Sequence, residues 1–431
     1  MKRLFNLKYT PLTIVIGFNL FTLFIFYTAP IQWVTDNLFL FFIFAILCQI
    51  MIILGYKLGY KKSNRKKIPV AVLFNFSKKT LNFVFWFYSI TFLIGYAYHL
   101  KFSVFDIKGM VSLLMIGIAD PHAGYRLALS ESRPATVSWS IFFFISIINQ
   151  VFFIIGFLKW GDMGRWKKIL FILFVLFELF FWMGRGTNFG VISMITTLAF
   201  ASVFRLESIR LNLKKAFRFY SLIILLLAGS IYIFSYNLNN RAGNDKINFQ
   251  VFNLGLAKVN ENAAVFTIMP KKLQTTYMYM VSYLAQGYYH TCLAFDLDFK
   301  PTFFLGNNPA AIDLGKVFNI DVWKDTYMYR LREKGVDPLV NWHSAYLWYA
   351  NDVSIPGVPF LLFFIGYIFG FSWGVSLKND DFLSKIIFII LGNMLLYLFA
   401  NNSYLSNEFY SFMFILPIWY LTRVGRIKLT K

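Results

Sequence analysis

Long apolar segments recur along the whole chain, separated by shorter polar connections. Ten of them approach the length of about 20 residues that a helix needs to cross a bilayer. Because only helices and closed barrels satisfy their backbone in lipid, this pattern predicts an all-α fold: a polytopic membrane helical bundle with about ten transmembrane helices. The segments lie near residues 11–29, 37–56, 80–100, 137–158, 169–184, 187–204, 219–236, 356–377, 385–400 and 408–422.

The composition favours a membrane protein and excludes a water-soluble one. The chain is 58% hydrophobic and 14% charged, whereas soluble domains are about 45–50% apolar and about 25% charged. Aromatic residues make up 21% of it, more apolar surface than a soluble fold of this length could bury. The two cysteines, Cys48 and Cys292, have no Cys or His neighbour at zinc spacing. We therefore predict no metal and no cofactor.

The formal net charge of +22 is a signal of topology. With both termini in the cytoplasm, the inner segments hold 26 lysines and arginines but only four acidic residues. That excess equals the whole net charge, as expected when positive loops stay inside, so the charge does not indicate a nucleic-acid partner. The inner segments are residues 1–10, 57–79, 159–168, 205–218, 378–385 and 423–431.

The outer side then receives two long connections, residues 101–136 and 237–342. We predict one membrane domain over residues 1–431, with 237–342 as a large outer loop between the seventh and eighth spans. Within it, residues 273–295 have a helical pattern, which we interpret as an amphipathic helix at the outer surface. The alternative, an eleventh span, would move the C-terminus outside. Residues 107–119 are apolar but too short to cross.

The sharpest local motif is MGRGTNFG at residues 183–190, between the fifth and sixth spans. Arg185 lies there between two glycines, which allow a sharp turn and close approach to a ligand. Its planar fork of donors suits a phosphate, and the N-terminus of the following helix also favours an anion. The alternative is an arginine that reaches for the membrane surface from a tight turn. Glu178 lies two helical turns earlier and could pair with a cation or act in a site.

A second motif follows the large outer loop, within residues 341–370. His343 precedes an aromatic helical turn, and its imidazole could accept a proton near neutral pH. Asp352 is the second candidate base. The alternative is a histidine that belongs to an interfacial aromatic belt.

These two motifs, in this order around a long outer loop, resemble the bacterial O-antigen polymerase and ligase superfamily, in particular the Wzy-type oligosaccharide repeat unit polymerases. The first motif is Gly184-Arg185-Gly186, in which Gly184 stands for the usual Ser. The second is His343-Ser344 with Leu347, followed by Ser354 and Gly357. In it Ser344 replaces the usual Asn, and Ser354 replaces one Gly.

The resemblance implies a glycosyltransferase of the bacterial inner (cytoplasmic) membrane. It would polymerise undecaprenyl-pyrophosphate-linked oligosaccharides at the periplasmic face, in O-antigen or capsule-type polysaccharide biosynthesis, without a metal. Membrane lipid, a chain-length regulator and a flippase are the implied partners. The implied catalytic residues are His343, Arg185 and Asp352. The implied pyrophosphate-binding residues are Arg185, Arg241, Arg330 and Arg332, and the sugar-stacking residues are Trp342, Tyr346 and Trp348.

Two alternatives stay open at this point. An O-antigen ligase would use a similar set of Arg and His residues to transfer the glycan to lipid A-core. A polysaccharide or lipid transporter (flippase) would instead have paired repeats, broken helices near the midplane and charges along a path.

Overall fold

The structure of the chain is a computed structural model. It describes residues 8–65, 77–99, 107–120, 151–184, 189–208, 249–307, 318–338, 341–400 and 407–423, together with the single positions 221, 229, 312 and 315. This part is mostly helical, as the sequence predicts. The first helices are α1 (Thr10–Thr28), α2 (Leu38–Arg65), α3 (Lys78–His99), α4 (Ile107–Ala119), α5 (Arg165–Gly184) and α6 (Phe189–Ser208). They are followed by α7 (Ala264–Ile268), α8 (Lys271–Ala294), α9 (Tyr327–Arg330), α10 (Ala345–Val353), α11 (Val358–Asn379), α12 (Phe382–Leu396) and α13 (Asn407–Arg423). Two short antiparallel strands, β1 (Ile31–Gln32) and β2 (Lys258–Val259), pair with each other.

Three of the described helices are long and apolar enough to cross a membrane. They are α1, α2 and α11, which match three of the predicted spans. The apolar helices Gly190–Phe204, Phe382–Leu396 and Ser411–Thr422 are shorter. Most of the predicted spans at 137–158 and 219–236 lies outside the described residues. The described part is therefore mostly helical with three candidate membrane-spanning helices, which is compatible with an all-α membrane protein, and the count of ten spans stays a prediction.

The chain divides into two compact units. Unit 1 contains Met1–Lys67, Asp245–Lys378 and Met394–Phe409, and unit 2 contains Ile68–Asn244, Asn379–Asn393 and Tyr410–Lys431. Unit 1 thus combines the first two helices with most of the predicted outer loop and the motif of His343.

In unit 1, α2 and α11 pack against each other through glycines. A Cβ on Gly55 would meet the carbonyl of Phe363, and one on Gly370 would meet the carbonyl of Tyr56. Small residues four apart let the backbones of membrane helices come this close. Gly59, Gly366 and Gly374 lie in the same interface.

Helix α8 confirms the predicted helix over residues 273–295, but it is not an amphipathic surface helix. Its apolar residues Met278, Ala285 and Tyr288 are buried, and so are its polar residues Gln286 and His290. A helix at a membrane surface leaves its polar face in water. Here both faces are covered, because Tyr288 packs against α1 while Gly287 lies against the backbone of Ser344.

Unit 2 has an aromatic core. The ring of Tyr88 on α3 stacks on Phe152 with centroids 3.6 Å apart, and Phe171 and Phe174 of α5 pack around this pair. The predicted fifth and sixth spans correspond to α5 and α6, which are separated by four residues in the chain.

Candidate functional site around helix α10

The start of α10 is fixed from three sides. Ser344 caps the helix, since its hydroxyl accepts a hydrogen bond from the amide of Leu347 at 3.4 Å. The same hydroxyl lies 2.7 Å from that of Thr291 on α8. The amide of Ala345 donates to the carbonyl of Leu398 at 3.0 Å. These contacts set the position of His343, which directly precedes the cap.

His343 lies next to a second imidazole. Its ring centroid is 4.9 Å from that of His290 on α8, and the two side chains are 1% and 0% exposed. His290 Nδ1 lies 3.0 Å from the carbonyl oxygen of Trp342. Because a carbonyl only accepts, Nδ1 must carry the proton, and Nε2 of the neutral ring is then an acceptor.

Burial keeps both imidazoles neutral. Desolvation lowers the pKa of His290 to about 4. It also lowers the pKa of His343 well below its usual range, with a further contribution from His290. Among the described residues, neither nitrogen of His343 has a hydrogen-bond partner, and neither does Nε2 of His290. His343 is therefore neutral and can accept a hydrogen bond, while its lowered pKa makes it a weaker base than an ordinary histidine.

Tyr346 has a packing role. It is 1% exposed, and its ring lies between Phe44 and Tyr288 at 5.4 and 6.1 Å. Its hydroxyl accepts from Gln49 of α2 at 3.1 Å. The surrounding side chains thus cover the ring that the sequence assigned to sugar stacking.

The two predicted stacking tryptophans have unused polar groups. Trp342 packs edge-on against Tyr283 with centroids 4.0 Å apart, and Trp348 is 3% exposed. The indole N–H of each is buried without an acceptor in the described part of the chain.

Asp352 lies at the other end of α10. Its Oδ1 is hydrogen-bonded by the hydroxyl of Thr302, and the amide of Gly306 approaches the same oxygen at 3.4 Å. Oδ2 is buried and has no partner within the described ranges. His343 and Asp352 are nine residues apart, and nine residues of helix span roughly 13 Å. Their backbone positions are therefore well separated, and the two side chains do not form one acid–base pair.

The neighbouring arginines 330 and 332 differ sharply. The guanidinium of Arg330 lies 5.0 Å from the ring centroid of Tyr327, and its Nε and Nη2 are buried with no acceptor among the described residues. Arg332 is exposed and lies over Tyr329. Of the two, only Arg330 has the buried, unused donors that an anion would satisfy.

Two other candidate arginines, Arg185 and Arg241, lie outside the described residues. Glu178, in unit 2, accepts a hydrogen bond from the indole of Trp182 at 2.8 Å. Asp296 bonds to Lys334 and Asn37. In the described ranges, no three His, Cys, Asp or Glu side chains are grouped as a metal site would require.

Unit 1 therefore contains buried polar groups with unused hydrogen-bonding capacity at the two ends of α10 and around it, a set that we call the α10 cluster. It provides acceptors on the histidines and Asp352 and donors on Arg330 and the two tryptophans. Buried polar groups are nearly always paired in folded proteins, so such a cluster marks a place for water or a ligand. Its mixture of donors and acceptors suits a ligand rich in hydroxyl groups and negative charge. Its members are His290, Arg330, Trp342, His343, Trp348 and Asp352.

Sequence reasoning missed the pairing of His290 with His343. His290 was visible only as a polar residue within the helical pattern at 273–295, and its separation of 53 positions from His343 hides the contact. Asn19 and Gln49 were also missed. Asn19 donates to Gln49 Oε1 and to the carbonyl of Leu395, both at 3.2 Å. The available signal was a polar residue inside each of two apolar spans.

Comparison with known proteins adds no relative. No family model, curated protein or solved structure matches the chain significantly. The described part is thus a mostly helical structure with three candidate membrane-spanning helices and with buried, unpaired polar groups around α10.

Proposed function

We propose that the protein is a polymerase of polyprenyl-pyrophosphate-linked oligosaccharide repeat units, acting at the periplasmic face of the bacterial inner membrane. The observation that carries the proposal is the unused hydrogen-bonding capacity of the α10 cluster. A glycan supplies hydroxyl groups for such a site, and a pyrophosphate supplies the anionic oxygens that arginine and indole N–H groups satisfy.

In the proposed reaction, a hydroxyl oxygen of the incoming repeat unit attacks the anomeric carbon of the growing glycan. The bond between that carbon and the pyrophosphate oxygen breaks, and the pyrophosphate leaves with the electron pair. His343 accepts the hydroxyl proton, a role supported by its unprotonated ring and by two ring nitrogens that have no partner among the described residues. Arg330 stabilises charge on the leaving group, as preorganised donors do in other transfers. Arg185 and Arg241 are proposed for the same task on sequence grounds.

The test is chromosomal deletion of the gene, complementation with variants, and gel analysis of surface polysaccharide. We expect the deletion and the His343→Ala variant to collapse the long ladder to a single repeat on core, at unchanged protein abundance. Lys324→Gln, at an exposed position of unit 1, is the control and should keep the ladder. Complete loss of attached glycan in the deletion strain would replace the proposal with ligation or export. A normal ladder with His343→Ala would remove His343 as the base.

A further inference from the structure

A loop of unit 1 exposes two adjacent phenylalanines in an unfavourable backbone conformation. Phe303 and Phe304 are 76% and 75% exposed, and their φ angles are 52° and 66°. Bulky residues rarely adopt this left-handed region, which is retained mainly where the surroundings impose it for a purpose. We call residues 297–306 the Phe303 loop.

The first end of the Phe303 loop is tied to the beginning of a membrane-spanning helix. Asn37 immediately precedes α2, and its side-chain amide donates to Oδ1 of Asp296 at 2.7 Å. The same amide lies 3.3 Å from the carbonyl of Cys292. The loop therefore departs from the level at which α2 begins.

Its second end is tied to the segment that leads into another spanning helix. The hydroxyl of Thr302 lies 2.8 Å from the carbonyl of Asn351 and also bonds to Asp352. The side-chain amide of Asn351 donates to the carbonyl of Gly306 at 2.6 Å. Asn351 and Asp352 lie a few residues before the start of α11. These bonds therefore fix the second end of the loop, so that the two phenylalanines lie between two anchored ends.

The register of α2 and α11 places both fixed points at the same end of these helices. Gly370 lies against Tyr56, and Gly55 lies against Phe363, so the helices run parallel. Val358, at the start of α11, is accordingly level with the part of α2 between residues 44 and 50. That part lies six to twelve residues, about 9–18 Å, inside the start of α2. The segment before Val358 thus approaches the membrane surface at which α2 begins.

Other apolar side chains are exposed at this same end. Phe39 at the start of α2 is 75% exposed, and Phe360 in the first turn of α11 is 63% exposed. Lys300, within the loop, is a half-exposed lysine whose ammonium lies 3.8 Å from the carboxylate of Asp325. Aromatic rings together with a lysine that extends to water are typical of the boundary between bilayer and water.

We propose that the Phe303 loop inserts Phe303 and Phe304 into the bilayer surface at the end where α2 begins, which the sequence predicts to be the periplasmic leaflet. The occupant of this apolar surface is lipid, because the loop is tied to the beginning of α2 and to the segment before α11, the end at which Phe39 and Phe360 are exposed. Through Thr302 and Gly306 the insertion also holds the Asp352 end of α10 at a fixed depth. The proposal does not depend on the enzymatic function.

The experiment measures the depth of a spin label in the full-length protein. Phe303→Cys and Phe304→Cys are labelled and reconstituted into liposomes of phosphatidylethanolamine and phosphatidylglycerol. Native Cys48 and Cys292 are buried with 0% exposure, and the unsubstituted protein measures any background labelling. Collision rates with lipid-soluble oxygen and a water-soluble nickel chelate are compared. Phe360→Cys is the lipid reference, and Lys324→Cys, on an exposed polar turn, is the water reference.

We expect both loop labels to show an oxygen-to-nickel collision ratio close to that of the Phe360 label and well above that of the Lys324 label. A ratio equal to that of the Lys324 label would overturn the proposal, because the loop would then be in water. Low collision rates with both reagents would overturn it as well, because protein would cover the loop. Melting temperatures of the labelled variants identify any that misfold, and Phe304→Cys serves as the independent second position.

Discussion

The tight contact between α2 and α11 gives a prediction whose size follows from the geometry. A Cβ added to Gly366 would lie 2.6 Å from the carbonyl oxygen of Ile52 and 3.1 Å from its Cα. Ordinary contacts of a Cβ begin at 3.4 Å, so the helices would have to move apart by about 0.8 Å. Both neighbours are backbone atoms and cannot turn away. We expect Gly366→Ala to destabilise the protein.

Overpacking of a tight interface costs about 1–3 kcal/mol. The gain in helix propensity from Gly to Ala, about 1 kcal/mol, opposes it. The net expectation is a loss of up to about 2 kcal/mol. Gly17 is the matched control, because nothing lies within 4 Å of its added Cβ. Gly17→Ala should therefore be neutral or stabilising.

The assay is unfolding by increasing SDS, followed by circular dichroism and by thermal melting in detergent. Gly366→Ala should unfold at lower SDS and lower temperature than Gly17→Ala. If the two variants unfolded together, the helices would not be in contact at Gly366, and the register used to place the Phe303 loop would be wrong.

Three further predictions concern the site. Arg330→Gln should reduce glycan elongation by about 10²–10³-fold if it stabilises the leaving group, whereas the exposed Lys324→Gln should leave chain lengths unchanged; normal chain lengths with Arg330→Gln would exclude that role. Arg185→Ala should cause a loss of similar size, measured in the same elongation assay, and near-normal elongation would remove Arg185 from the site. Finally, ¹⁵N NMR of histidine-labelled protein, assigned with His290→Gln, should show His290 neutral with its proton on Nδ1 until the pH approaches 4. Because the unfolded chain binds this proton at about pH 6.5, the contribution of His290 to stability should decrease as the pH falls below that value; a proton on Nε2 at neutral pH would contradict the bond to Trp342.

The spanning helices could be predicted from sequence because hydropathy is a local property. Helix α1 occurs within one residue of its predicted ends. Helix α2 continues to Arg65, beyond the predicted end at residue 56, because lysines prolong a helix into water as readily as apolar residues do in lipid. Helix α12 stops at Leu396 before the predicted end at residue 400, since Leu398 supplies its carbonyl to Ala345 instead.

The site was only partly predictable. The motif of His343 and the position of Arg330 could be identified from their neighbours, but the partner of His343 comes from a helix 53 residues earlier. Arg330 and Arg332 could be told apart only by their burial. The sequence does not show which of two arginines, two residues apart in a short helical turn, is buried. The burial of Tyr346 between Phe44 and Tyr288 likewise required the packed helices.

Two carbonyl groups near the end of α12 have a consequence for motion. That of Leu395 accepts from Asn19 of α1, and that of Leu398 accepts from the first residue of α10. A helix end leaves such carbonyls free for other elements. Displacement of this short stretch would break the hydrogen bonds to α1 and to the start of α10 together, so a movement of the segment that follows His343 is coupled to α1.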